Sequence, residues 1–162
     1  MEIKSFNGNL LDSTAPLICH QVNCLGVMGS GVAKGIKDKW PVVFGKYKEY
    51  ADKVIGENNG NTSALLGKVL PVSVSQTQKV LNYFSEELYG GGGKRYTNYE
   101  ALYQCLEKTA DYCEKNGIDR IALPYKIASV RGGADWNVVL AMIKAAFKKT
   151  NVTVEIWRLD LG

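Results

Sequence analysis

The chain is poor in the residues that build metal sites. It has one histidine and four cysteines in 162 residues, and no two cysteines form a CxxC pair. A structural zinc centre needs Cys and His at close, repeated spacing, so that device is excluded. The cysteines are Cys19, Cys24, Cys105 and Cys113. Cys19 falls in an apolar run, and Cys105 and Cys113 fall in one amphipathic segment. All four read as reduced thiols, the state expected in the cytoplasm. Long apolar runs are also missing. None nears eighteen residues, and "MEIKSFNGN" has no basic-then-apolar leader pattern, so neither membrane insertion nor secretion is expected. No GxxxxGK[ST] occurs, and the glycines of "GVMGSG", at 26, 29 and 31, do not have GxGxxG spacing. The excess of basic residues is small, at a net +4. That suits an anionic ligand better than a dedicated nucleic-acid binder.

What is present is an alternation of short apolar runs and helical periods. "EIKSF" alternates as a strand does, and "APLICHQV" is apolar almost throughout, as suits a strand covered on both faces. "VAKGIKDKW" reads as a helix stopped by Pro41, which can open the next one. "KVLPVSV" and "KVLNYF" read as two more strands. "NYEALYQCLEKTADYCEKNG" carries an apolar stripe at Tyr99, Leu102, Tyr103, Leu106, Ala110 and Cys113, and ends at Gly117. "DRIALPY" is a strand, "DWNVVLAMIKAAFKK" a helix, and "VTVEIWRL" a closing strand. Without repeats or a linker, this predicts one α/β domain over residues 1–162, with helices on both faces of the sheet.

Two glycine loops stand where a strand ends and a helix begins. One is "VNCLGVMGSG"; the other is "KIASVRGGAD". Ligands of α/β sheets bind beyond the carboxyl ends of the strands. Helix N-termini offer free amides and a partial positive charge to phosphate. Gly29, Ser30 and Gly31 fit that role in the first loop, and Val130, Arg131, Gly132 and Gly133 in the second. Together they suit a diphosphate gripped from both sides. Tight turns with no ligand fit the same glycines.

These stretches resemble the macro domain family, whose members bind ADP-ribose. "NGNLLDS", "LICHQVNCLGVMGSGVAKGIKDKWP", "LLGKVLPV", "TNYEAL" and "LPYKIASVRGGADW" carry the likeness over nearly the whole chain. The resemblance implies a three-layer α/β/α fold with a mixed central sheet and no metal or cofactor. It also implies ADP-ribose or a derivative as the partner, with nucleic acid only as a modified substrate; a monomer is the default expectation. Gly8, Asn9 and Leu10 match the first-loop motif, and Asn9 stands where many members have Asp against the adenine amino group. An amide oxygen can accept the same hydrogen bond. Asn23 matches an asparagine near the distal ribose. Gly29, Ser30, Gly31 and Val32 match the stretch around the distal ribose and diphosphate. Ser129, Val130, Arg131, Gly132 and Gly133 match the second phosphate loop, and Trp157 an aromatic beside adenine. Two departures stand out. Glu86 and Gly132 occupy positions where glutamate-linkage hydrolases of the group have Lys and Asp, which removes a lysine-adduct mechanism.

The nearest branch by resemblance contains ADP-ribose-1''-phosphate phosphatases, with a histidine where His20 stands. His20 and Asn23 are therefore the expected catalytic pair, His20 as general acid or base. A hydrogen-bonded prop under the loop is the alternative for His20. Asp135 is either a helix N-cap or a base. Residues 90–96, with Lys94 and Arg95, are either a lid or a loop without function. Release of phosphate from ADP-ribose 1''-phosphate is the expected activity. Hydrolysis of ADP-ribose esters on protein, nucleic acid or acetyl groups, and non-catalytic reading of ADP-ribose, are the alternatives.

Overall fold

The computed structural model describes residues 1–90 and 92–159. Six strands form one sheet: β1 (Glu2–Asn7), β2 (Leu17–Asn23), β3 (Val69–Ser73), β4 (Lys79–Glu86), β5 (Arg120–Pro124) and β6 (Thr153–Arg158). Their spatial order is β1-β6-β5-β2-β4-β3. The first five are mutually parallel, and β3 pairs antiparallel to β4 at one edge. The helices are α1 (Gly31–Lys39), α2 (Pro41–Glu57), α3 (Tyr99–Asn116) and α4 (Trp136–Phe147).

Side-chain alternation along the strands makes the three layers. Leu17 and Cys19 of β2 and Leu81 and Tyr83 of β4 face Leu102, Leu106, Val139 and Phe147 of α3 and α4. Ile18 and Val22, with Val80 and Phe84, face Ile36, Val43 and Tyr47 of α1 and α2. The expected three-layer mixed α/β architecture is therefore the one observed. Local signals set the helix ends. Asn98 caps α3 by accepting the Ala101 N–H, and Gly117 closes it in the left-handed region at φ 64°. Pro41 opens α2. Asp135 caps α4. All four cysteines are buried and unpaired.

One irregularity positions the site. The β2–β5 ladder includes only Leu17 opposite Ile121 and Ile18 opposite Ala122. Both strands then run on, β2 to Asn23 and β5 to Pro124. Their carboxyl ends part, and a cleft opens between the loops that follow them.

Candidate active site

The cleft encloses about 500 Å³ and is floored by the ends of β2, β4 and β5. Residues 27–33 form one wall. Val130, Arg131 and Gly132 form the other, and Glu86, Tyr89 and Gly90 close the β4 end.

Asn23 builds the first wall. Its Oδ1 accepts the Leu25 N–H at 3.0 Å, with the Val27 N–H more distant at 3.4 Å, and its Nδ2 donates to the Val27 carbonyl at 2.8 Å. The buried Tyr47 hydroxyl lies 2.8 Å from both the Asn23 Oδ1 and its carbonyl oxygen. Asn23 thus folds the loop that ends at α1. Ser30 stands at the N-cap of α1 but makes no side-chain cap bond. The first-turn amides are left open to the cleft, at the positive end of the helix dipole. Gly31 sits at φ 62° with no atom within 4 Å of a built Cβ, so its glycine serves the turn itself.

The second wall closes on itself. Ser129 donates its N–H to the Lys126 carbonyl at 2.9 Å, and Ala134 to the Ala128 carbonyl at 3.1 Å. Between them the amides of Val130, Arg131 and Gly132 donate to no protein acceptor among the described residues. Gly132 accepts from the amides of Tyr96 and Thr97 at 2.8 and 3.0 Å, which fastens this loop to the segment after β4. A Cβ on Gly132 would collide with the Thr97 hydroxyl, the Ala128 carbonyl and the Gln21 amide.

Two ionisable side chains share the floor. His20 is buried, and its Nε2 lies 2.6 Å from Asn82 Oδ1. Asn82 donates through Nδ2 to the Leu70 carbonyl at 2.9 Å, so its oxygen is the acceptor and His20 Nε2 carries the proton. Burial lowers the His20 pKa to about 4, against the raising effect of Asn82. Glu86 is half-buried and accepts from Gln21 Nε2 at 3.2 Å. Burial raises its pKa to about 7, against the pull of the Arg131 charge. The Cys24 thiol is driven up to about 12, chiefly by burial and further by the charges of Glu87 and Glu86, so it is no nucleophile.

A family comparison decides what this cleft belongs to. The pattern of the Macro domain family matches residues 19–143, which span both walls and the floor. The chain belongs to the macro domain family. Proteins of Mycobacterium bovis and Mycobacterium tuberculosis named DNA ADP-ribosyl glycohydrolase are 27% identical over 155 residues. That match covers 88% of this chain and 38% of theirs, so this macro domain spans well under half their length. Among solved structures, a Bacteroides thetaiotaomicron protein of unknown function superposes with a TM-score of 0.83 at 22% identity, covering 98% of this chain and 99% of its own. The macrodomain of Mycobacterium tuberculosis DarG gives 0.77 at 23% identity over 96% of each chain. Thermosipho africanus DarTG in complex with ADP-ribose gives 0.76 at 18%, covering 97% of this chain and 41% of that one. These likenesses carry the fold.

The structure brings together His20, Asn23, Gly29, Ser30, Gly31, Val32, Val130, Arg131 and Gly132 around the cleft of this macro domain. It sets the remaining candidates apart. Asp135 is exposed and accepts the Asn137 N–H at 2.9 Å as the cap of α4. Neither Asp135 nor the first turn of α4 lines the cleft. Ser129 and Gly133 lie behind the second wall; a Cβ on Gly133 would meet the Lys94 carbonyl. Gly8, Asn9, Leu10 and Trp157 lie beyond the β6 edge of the cleft. Asn9 accepts the Leu11 N–H at 2.9 Å, and Leu10 is buried in the core. Trp157 stacks on Phe6 at 4.9 Å and donates to Glu155 at 2.9 Å. Lys94 and Arg95 rest on Tyr96 and Tyr99 rather than lining the cleft, and Gly91 of the expected lid is outside the described residues. Glu86, singled out in the sequence as a departure at a family Lys position, also lines the cleft. Its position at the end of β4 was readable; its surroundings were not.

Proposed function

We propose that this macro domain binds ADP-ribose across the cleft and hydrolyses the bond at C1'' of the distal ribose, with ADP-ribose attached to single-stranded DNA as its preferred substrate. The observation that carries the binding is the facing pair of amide walls, 29–33 and 130–132, over the parted strands. Both walls offer main-chain N–H groups to phosphate oxygens, and the second adds the Arg131 guanidinium. On this reading the ligand runs along the sheet, with adenine at the β6 end by Asn9 and Trp157, as the family resemblance implies, the diphosphate over β5 and β2, and the distal ribose at the β4 end.

The chemistry of that end supports the choice of linkage. A 1''-phosphate is a dianion, and Arg131 is the one charge facing the Glu86 carboxyl there, so a second phosphate is poorly compensated. His20, buried and neutral, is unsuited to protonating a leaving group at neutral pH. Loss of a neutral or weakly charged leaving group suits the site better than phosphate release. DNA is favoured by the surface behind the second wall. Arg158 and Lys126 both lie over Tyr125, at 5.0 and 5.6 Å. Tyr125 packs edge-on to Trp136 at 5.4 Å, and Arg95 stacks on Tyr99 at 4.6 Å. Tyr99 in turn accepts the Asp135 N–H at 2.9 Å, so the strip is continuous. Cations alternating with aromatic rings suit a single strand with unstacked bases, with Asp135 and Glu100 as the acidic interruptions. The mycobacterial relatives carry a matching name.

The test incubates the protein with an ADP-ribosylated single-stranded oligonucleotide, an ADP-ribosylated glutamate peptide and ADP-ribose 1''-phosphate, and follows released ADP-ribose by chromatography. Fastest release from the oligonucleotide is expected. Fastest release from the phosphomonoester would restore the phosphatase reading.

A further inference from the structure

We infer that the Glu86 carboxyl is the acid–base group of this cleft, acting on the leaving atom at C1''; the inference rests on the hydrolase reading above. Position is the first argument. Glu86 ends β4, three strands from β6 in the sheet. At about 4.8 Å per strand that is roughly 14 Å from the β6 end. On the ligand course proposed above, the distal ribose lies at this end of the cleft, which Glu86 lines.

Elimination is the second argument. The ionisable side chains lining the cleft are His20, Glu86, Tyr89 and Arg131. His20 gives its one proton to Asn82 and is buried. Arg131 offers donors only and no acceptor. Cys24 keeps its thiol proton, Asp135 caps α4, and Glu87 does not line the cleft and accepts from the Thr62 hydroxyl at 2.8 Å. Tyr89 stands exposed at the rim, and Glu86 is the one carboxyl lining the cleft among the described residues, moved up to about 7 by burial. The groups facing it are Gln21 from β2, which donates, and Arg131 from the second wall, which supplies the one facing charge. Cys24 and Tyr47, on the loop side, are uncharged; burial raises both.

Arg131 couples protonation to binding. A diphosphate between the walls draws on the guanidinium and weakens its hold on the carboxylate, so the acid form is favoured when substrate is bound. The step then balances. The bond from C1'' breaks with its electron pair on the leaving atom, which takes the Glu86 proton. Water adds to C1'' and gives a proton back to the Glu86 carboxylate. Nothing is oxidised or reduced.

The experiment compares wild type with E86Q on the same three substrates, and measures ADP-ribose affinity by calorimetry. E86Q should lose on the order of 100-fold or more in kcat while ADP-ribose affinity stays within about three-fold. The wild-type kcat should fall as pH rises through about 7. That limb should be missing from the residual activity of E86Q and restored in part by E86D. An E86Q protein within tenfold of wild type, or one that keeps the limb, overturns the assignment and leaves the hydrolase reading standing. A wild type that binds ADP-ribose and releases nothing from any substrate overturns both.

Discussion

Asn23 shows how one side chain prepares a site without entering the chemistry. Its amide is spent on Leu25, Val27 and Tyr47. Asn23→Ala should therefore cost about 2–3 kcal/mol of stability in denaturant titration, because the buried Tyr47 hydroxyl and the Val27 carbonyl lose partners. It should also weaken ADP-ribose binding more than tenfold by calorimetry, since the α1 amides are no longer aimed. Ala128 makes the opposite case. It holds φ 66°, a conformation that costs a residue with a Cβ about 1–2 kcal/mol. Ala128→Gly should be neutral or stabilising by up to about 1 kcal/mol, where a buried Ala→Gly change normally destabilises. The two floor residues give a pH signature. Folded His20 binds fewer protons than the unfolded chain between about pH 4 and 6.5, so its contribution to stability rises with pH there. Folded Glu86 binds more protons between about pH 4.5 and 7, so its contribution falls as pH rises. The stability of E86Q relative to wild type should climb across that second window in denaturant midpoints measured against pH. His20 and Asn23 were visible in the sequence as polar residues ending an apolar strand. Their roles were not, because Asn82 and Tyr47 reach them from other elements. The setting of Glu86 was out of reach for the same reason: it faces Gln21 and the second wall, far away in sequence.

Among the elements, the two glycine loops were legible because glycine before a helix has few explanations. The structure separates their uses. The first loop leads to an uncapped α1 and presents helix amides. The second leads to an α4 whose first turn is capped by Asp135 and stands away from the cleft, and presents its own turn amides instead. A capped helix and an open one look alike in sequence when Ser30 and Asp135 are both able to cap. The glycines differ in the same way. Gly132→Ala should fail sterically against Thr97, Ala128 and Gln21, with a loss of about 2–4 kcal/mol and no measurable ADP-ribose binding. Gly31→Ala meets open space and should cost only the about 1–2 kcal/mol of a positive φ. Thermal unfolding of the two variants side by side checks the distinction.

Across the whole molecule, fold class was readable from alternating strand and helix periods, whereas the order of the strands was not. Strand order depends on which faces pair, and only that order turns separate motifs into a line from β6 to β4. The parting of β2 from β5, which makes the cleft, leaves no mark in composition. The same holds for the strip of Arg158, Lys126 and Arg95 on their aromatic rings. Lys126 and Arg158 are separated by 32 positions in the chain and meet on Tyr125. If that strip holds the DNA strand, replacing Arg95, Lys126 and Arg158 together by Ala should raise KM for the ADP-ribosylated oligonucleotide and flatten its salt dependence. Affinity for free ADP-ribose should not change. The measurement that bears most directly on the account is a titration of ADP-ribose into the 15N-labelled protein, followed by amide chemical shifts. The account predicts the largest shifts at residues 29–33 and 130–132, with lesser ones at Glu86 and near Asn9 and Trp157. Shifts confined to another surface, such as the groove between α2 and β3, or no shifts at millimolar ligand, would contradict it.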